Sequence, residues 1–332
     1  MIFADKSSYG IIESSFLGEY KLLYAFLDSF KEGGKISPPD AASIGKSKKM
    51  LAIKTFNEHS ERALMGTTKV YGKCSAFNFI DKTIHTFNNQ DFSYEFNPSY
   101  GVSDTTGTAA GHISQAVIKK AVLELVEKNE LLAMWYGRKG LNIAQNKYTK
   151  NAVDSFNFAS PYIDIFLCRE LSNYYTVITI PRTSSRITAS GVAISGNIFE
   201  AISLSLQEAK LLEWSNTDDK SSFFSHFSDE EHSISIKYIN SLKSSMGTFS
   251  VTEDSIAAED KFEVNSFIKG IYLKMINIGL GKREKTVKCI SDELFSCLPR
   301  NERIKASMDK GLIKYLGIRE SDLESMPDCI LL

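Results

Sequence analysis

"TTGTAAGHISQAVIKKAVLELVEKNELLAMW", residues 105–135, carries the strongest helical signal in the chain. Small residues with Gly107 and Gly111 form a turn, and from Ala116 onward apolar residues recur at the three- and four-residue spacing of a helix with one buried face. A helix launched from a small-residue turn keeps its first backbone N–H groups free to donate to an anion such as a phosphate oxygen. Two acids, Glu124 and Glu127, sit three apart on this helix with Lys128 directly after them.

The pattern recurs on both sides. In "SGVAISGNIFEAISLSLQEAKLLEW" (190–214) a glycine-bearing turn again leads into a helix, which carries Glu208. In "TFNEHSERALMG" (55–66), Thr55, Glu58 and Glu61 stack along one helical ridge with Arg62 beside them. Taken alone, alternating charges on a helix ordinarily mark a solvated face. Glutamates repeated on three helices, with basic residues alongside, are also what a Mg²⁺–nucleotide site needs: hard oxygen ligands for the metal and cations for the phosphates.

Elsewhere the pattern is plainer. "IIESSFLGEYKLLYAFLDSF" (11–30) has helical spacing and stops at "KEGGK", and "SPPDAASIGKSKK" leads into the helix of the glutamate ridge. "TTKVYGK" (67–73), "SAFNFI" (75–80), "YIDIFLC" (162–168), "YYTVITIPR" (174–182) and "IYLKMINIG" (271–279) read as strands, with a polar loop running to about residue 103. Residues 215–260 read as exposed excursions around one short helix, and "SDELFSCLP" (291–299) and "RIKASMDKGLIKYLG" (303–317) as helical. The fold class that follows is α+β, helices packed on a largely antiparallel sheet.

Composition narrows the functions. With 39 basic against 40 acidic residues and a formal charge of −1, no overall field attracts nucleic acid or an anionic membrane. No apolar run approaches the roughly 20 residues of a membrane span, and "MIFADKSSYG" lacks the basic and apolar regions of a signal peptide, so a cytoplasmic location is expected. Five scattered cysteines suit neither zinc nor a disulfide framework, and the terminal "CILL" matches a prenylation box in form only. "GKS" at 45–47 lacks the upstream glycine of a P-loop, Asp40 standing there. Lys46 is then either a phosphate neighbour or a solvated lysine. His226 and His232 read as surface residues, Trp135 and Trp214 as core anchors.

"DKSSYGII" (5–12), "GKSKKMLAIKTFNEHSER" (45–62), the stretch at 105–135 and "SGVAISGNIFEAISLSLQEA" (190–209) occur in the order and at separations found in the YcaO-domain proteins, which the chain resembles over about residues 4–214. Residues 215–332 are a divergent part of what reads as one domain. The resemblance implies an α+β fold around a glutamate-lined ATP site that uses Mg²⁺ and no P-loop. It implies ATP-dependent activation of peptide backbone amides, giving azoline rings by cyclodehydration or thioamides, in the maturation of ribosomally made peptides. An amide oxygen leaves badly until it carries phosphate, so such an enzyme must neutralise the transferring group and align its partners.

Carried over by position, the resemblance makes Thr55, Glu58, Glu61, Arg62, His112, Glu124, Glu127, Lys128 and Glu208 the nucleotide-site residues, with Glu58, Glu61, Glu124, Glu127 and Glu208 as metal ligands. It implies a precursor-peptide substrate, a leader-binding or E1-like partner protein and a homodimer. Several positions depart from the family pattern. Thr55 replaces serine, Lys128 replaces arginine and gives up a bidentate fork for a point charge, His112 stands for asparagine, Ala116 for an acid and Leu211 for glutamine. A proline-rich C-terminal tail is absent from the sequence. These departures keep open the alternative of a degenerate, non-catalytic scaffold that binds a peptide or a partner.

Overall fold

The structure, a computed structural model, describes residues 8–32, 35–66, 71–97, 99–218, 223–256, 261–276 and 284–332. Residues 5–7 of "DKSSYGII", 67–70 of the expected strand at 67–73 and 277–279 of "IYLKMINIG" lie outside them.

Two five-stranded sheets organise the chain. One runs in the order Thr108–Gly111, Lys285–Ile290, Tyr272–Ile276, Lys73–Asn78, Ile84–Asn88, every pair antiparallel. The other runs Gly191–Ser195, Tyr175–Arg182, Tyr162–Cys168, Leu141–Ile143, Gly247–Phe249, antiparallel except for the last pair. A three-stranded antiparallel sheet is built from Ser8–Ile12, Lys21–Phe26 and Asp40–Gly45. The largely antiparallel α+β expectation is met.

Five helices of eight residues or more occur among the described residues: α1 (Lys48–Ala63), α2 (Ser114–Trp135), α3 (Lys147–Asp154), α4 (Ile198–Asp218) and α5 (Asp229–Ser245). α2 contacts strands of both five-stranded sheets. Its apolar residues Val122, Leu125, Val126, Leu132 and Trp135 form the centre of the largest core cluster together with Phe166, Ile178 and Leu294. None of the described helices is long and apolar enough to cross a membrane.

The expected helix at 11–30 is instead two strands joined by a short 3-10 turn. Gly18 at φ 60 breaks any helix there, and Lys21–Phe26 alternates as a strand: Leu23 and Ala25 pack with Leu51 on one face, while on the other Leu22 packs with Leu17, Tyr20 and Ile44 and Tyr24 and Phe26 are exposed. "SPPDAASIG" contains the strand Asp40–Gly45, the polar region before residue 103 contains the strands Ile84–Asn88, Glu95–Asn97 and Gly101–Ser103, and "GVAIS" is a fully buried strand where a turn was expected.

In the C-terminal part α5, begun by a capping box between Ser228 and Glu231, is 17 residues long and buries His232 completely. Residues 291–299 are not helical, because Ser291 Oγ accepts the Glu293 and Leu294 N–H groups and the Asn129 side chain takes both the N–H and C=O of Phe295. Residues 303–317 split between the short helices Asn301–Lys305 and Gly311–Leu316. Cys329, the residue of the prenylation-like box, is fully buried with Ile330 and Leu331 in the main core, which leaves no exposed thiol for a lipid.

Candidate functional site

α1, α2 and α4 surround one cavity of about 980 Å³. Glu58, Glu61 and Arg62 of α1, Lys119, Lys120, Glu124, Glu127 and Lys128 of α2, and Glu208 of α4 line it. Each helix is fixed by sheet contacts before it presents its acids. α1 packs on the strands Asp40–Gly45 and Thr108–Gly111, and α4 on Gly191–Ser195 and Tyr175–Arg182. Gly191 permits that second approach, since a Cβ there would lie 2.0 Å from the Ser205 carbonyl oxygen and 2.6 Å from the Ala209 nitrogen.

Three of the five glutamates are tied to the sheets through backbone N–H groups. Glu61 accepts from Ala110 at 2.9 Å, Glu127 from Ile194 at 3.1 Å and Glu208 from Val192 at 2.8 Å. Cations meet the same acids: Lys120 lies 2.6 Å from Glu61, and Lys128 lies 3.1 Å from Glu127 and 3.8 Å from Glu208. Glu58 pairs with Arg62 at 2.8 Å, and Arg62 also donates to the Asp40 carbonyl at 3.1 Å. Glu124 alone among the five accepts no hydrogen bond from the described residues and faces the cavity.

Burial sets the electrostatics. It pushes Glu61 and Glu127 up to about 7, against the pull of Lys120 on the first and Lys128 on the second. Burial and the nearby Glu61 raise Glu124 well above the usual carboxylate range, and burial raises Glu208. Lys128 moves up because its two carboxylate neighbours outweigh its desolvation.

Beyond the glutamates, the loop Asp104–Thr106 and the C-terminal residues Leu298, Arg303 and Leu332 close one side. Asp104 holds Arg303 at 2.7 Å and accepts the Leu298 N–H at 2.9 Å. Buried Lys288 donates to the Thr106 carbonyl at 2.8 Å, fixing the loop from behind. Ile194, Leu123, Leu211, Leu212 and Trp214 form an apolar wall, and Tyr24 lies at the α1 end.

Two expected site residues fall elsewhere. Thr55 is buried against the sheet, its hydroxyl 2.7 Å from Ser43 Oγ, because it shares its helical face with Leu51 and His59 and not with the cavity. His112 is exposed ahead of α2 and does not line the cavity. Lys46 is exposed and paired with Glu19, away from the cavity. Trp135 is a buried core residue as expected, whereas half-buried Trp214 belongs to the cavity wall. Ala116 and Leu211, the two departures, both line the cavity. Asp40, Asp104, Lys120 and Arg303 were not singled out by the sequence. For Lys120 a signal existed, since it stands one turn before Glu124 on the same ridge; for Arg303, far along the chain, there was none.

No protein-family model matches the sequence, and no curated protein matches it. Solved structures do. YcaO from Methanopyrus kandleri bound with AMPPCP and Mg²⁺ superposes with a TM-score of 0.68 at 12% identity, covering 89% of this chain and 88% of that one. The chain has the YcaO fold. The E. coli microcin synthetase McbBCD complex with pro-MccB17 bound gives a TM-score of 0.68 at 13% identity over 98% of this chain and 96% of its counterpart. A heterocyclase in complex with substrate and cofactor gives 0.57 at 10% identity over 92% of this chain and 52% of its own. At these identities the correspondence is one of fold.

The donor set of this YcaO-fold cavity suits a Mg²⁺–nucleotide. Among the described residues no three acids or histidines cluster as a ready-made metal cage. Mg²⁺ is ordinarily held by one or two carboxylates together with phosphate oxygens and water, and Glu124, bonded by none of the described residues, is a carboxylate that could serve so. Arg62, Lys120 and Lys128 line the same cavity and could supply charge for phosphates.

Proposed function

We propose that this protein activates backbone amides of a peptide with ATP, as an azoline-forming cyclodehydratase or a thioamide synthetase in the maturation of a ribosomally made peptide. The observation that carries the reading is the convergence of Glu58, Glu61, Glu124, Glu127 and Glu208 with Arg62, Lys120 and Lys128 on a single cavity although they span some 150 residues of sequence. The supporting context is the fold, shared with a YcaO bound with AMPPCP and Mg²⁺ and with a microcin synthetase complex with pro-MccB17 bound.

In this reading a Cys, Ser or Thr side chain of the peptide, or an external sulfide, adds to an amide carbon. The amide oxygen then takes the terminal phosphoryl group of ATP and departs as phosphate. Mg²⁺, when bound, shields the phosphate charge. The chain's own part is positional and electrostatic. Glu124 would hold the metal, Arg62 and Lys128 would face the phosphates, and the wall of Ile194, Leu211 and Trp214 keeps water from one side of the cavity. A precursor peptide is the substrate, a leader-binding or E1-like protein its presenter, and a homodimer the assembly.

Leu211 supports a second reading. It packs against the apolar cluster of α4 and the second sheet where an amide side chain is expected, as in a scaffold that binds a peptide or partner without turnover. Calorimetric titration of the purified protein with ATP and Mg²⁺, followed by mass spectrometry of the precursor peptide incubated with the partner, tests both. Binding and loss of water, or exchange of oxygen for sulfur, supports the enzyme. Absence of ATP binding overturns it in favour of the scaffold.

A further inference from the structure

The side of the cavity closed by the C-terminal residues is built differently from the glutamate ridges. Leu123 of α2, Leu212 of α4 and Leu332 line the cavity half-buried, and all three lean on the main core, whereas Leu211 and Trp214 lean on the second cluster. Leu298 also lines the cavity, and its backbone N–H is held by Asp104 Oδ2, the same oxygen that takes Arg303 Nη1 at 2.7 Å. Leucines thus share this side with a single guanidinium.

Arg303 is fixed in place and still has donors to spare. Asp104 accepts the Thr106 N–H on Oδ1 and the Leu298 N–H on Oδ2, each at 2.9 Å, so its carboxylate is held from two directions. Lys288, fully buried behind the loop, donates to the carbonyls of Asp104 and Thr106. Arg303 gives Asp104 one nitrogen and neighbours the Cys297 thiol, and no other oxygen of the described residues accepts from it. A guanidinium carries five N–H donors, so several remain for a ligand.

The charge around the cavity says which ligand suits them. Seven acids against five cations line it, and a nucleotide would add phosphates, so an acidic segment is disfavoured. A basic segment on this side would meet Arg303. A neutral group fits: an apolar side chain against the leucines, with a carbonyl oxygen accepting from the guanidinium. A single peptide residue presents both.

We propose that Leu123, Leu212, Leu298 and Leu332 form with Arg303 a subsite for the residue flanking the modified position of the peptide, taking its bulky apolar side chain while Arg303 holds its backbone carbonyl. The proposal rests on the peptide-modifying reading above and names the substrate class: peptides whose modified Cys, Ser or Thr has a large aliphatic or aromatic neighbour. The same residues reject a charged neighbour, because a charge set among leucines loses its hydration without gaining a partner.

The test titrates the full chain, saturated with Mg²⁺ and a non-hydrolysable ATP analogue, with the peptides acetyl-Gly-X-Cys-Gly-Gly-amide in which X is Leu, Phe, Gly, Asp or Lys. Wild type is expected to bind the Leu and Phe peptides about tenfold or more tighter than the other three. Arg303→Gln weakens the Leu peptide by about tenfold and leaves the affinity for the analogue unchanged. Leu298→Lys inverts the order, the Asp peptide now binding more tightly than the Leu peptide, which a merely structural role would not produce. Thermal melts confirm folding first, and Arg303→Lys, which keeps a cation on Asp104, replaces the glutamine variant if that one does not fold. Equal affinity for all five peptides, or none for any while the analogue binds, overturns the proposal and leaves the ATP reading standing. So does an Arg303→Gln chain that loses the analogue and keeps the peptide. The apolar preference without any binding of the analogue upholds the subsite and overturns the ATP reading. Binding of neither peptide nor analogue overturns both.

Discussion

Glu61 on α1 accepts the backbone N–H of Ala110 at 2.9 Å, so an acid of the cavity also stitches a helix to the edge strand of a sheet. Glu61→Ala strips the acceptor from that N–H and from Lys120. The expected cost is about 1–3 kcal/mol, read from urea denaturation, with Glu61→Gln losing less because its amide oxygen still accepts. Equal stability of the alanine variant and wild type would show that the contact contributes nothing.

Gly191→Ala is expected to be more damaging than a one-carbon change suggests. The added Cβ meets the backbone of α4 at Ser205 and Ala209, so the helix must move off its strand and carry Glu208 away from the Val192 N–H. A loss of about 3 kcal/mol or more in thermal unfolding is anticipated, with weaker ATP binding at temperatures where the variant is folded. An unchanged melting temperature would contradict the packing described for α4.

Glu130 gives a pH dependence whose sign can be worked out. It is fully buried, accepts the N–H groups of Glu170 and Leu171, and is pushed up to about 7 by that burial. Between the unfolded value near 4.5 and about 7 the folded chain holds a proton that the unfolded chain has released. Its stabilising effect is thus complete below about pH 4.5 and is lost as pH rises through about 7, by on the order of 3 kcal/mol in total. Other raised acids act in the same window, so the measurement is the difference between wild type and Glu130→Gln in denaturant midpoints from pH 4.5 to 8. A constant difference would refute the assignment.

Asn129 joins α2 to the C-terminal side of the cavity, donating to the Phe295 carbonyl at 2.8 Å and accepting the Phe295 N–H at 2.8 Å. Asn129→Ala leaves two buried backbone groups unpaired, at a cost of about 3 kcal/mol. Hydrogen exchange at Phe295 is expected to accelerate with it. Unchanged protection at that amide would argue against the link.

How far the sequence revealed this arrangement varies with the physics of each part. α2 was legible because 22 residues of unbroken helical period admit one reading. The glutamates were legible because a three- or four-residue spacing places acids on one face whatever the tertiary context. Residues 11–30 were misread because a strand whose exposed positions are the aromatic Tyr24 and Phe26, beside buried Leu22, Leu23 and Ala25, presents the same nearly continuous apolar run as a helix, and only Gly18 hinted otherwise. Thr55 was placed on the ridge with Glu58, but its rotation toward Ser43 depends on where the strand Asp40–Gly45 lies, which spacing along one helix does not encode. Arg303 reaches the cavity through Asp104, a partner 199 positions away, and no local pattern reports such a pair.

The hydrogen bonds from Ala110, Ile194 and Val192 give the cavity glutamates a second employment. Glu61, Glu127 and Glu208 fasten helices to strands whether or not a nucleotide is ever turned over. Under drift, a descendant that had abandoned catalysis would still be selected to keep them for folding, while Glu124, which fastens nothing, would be released first. Glu61, Glu127 and Glu208 thus record architecture in addition to any part they take in the proposed chemistry, whereas Glu124, bonded by none of the described residues, has no such second duty.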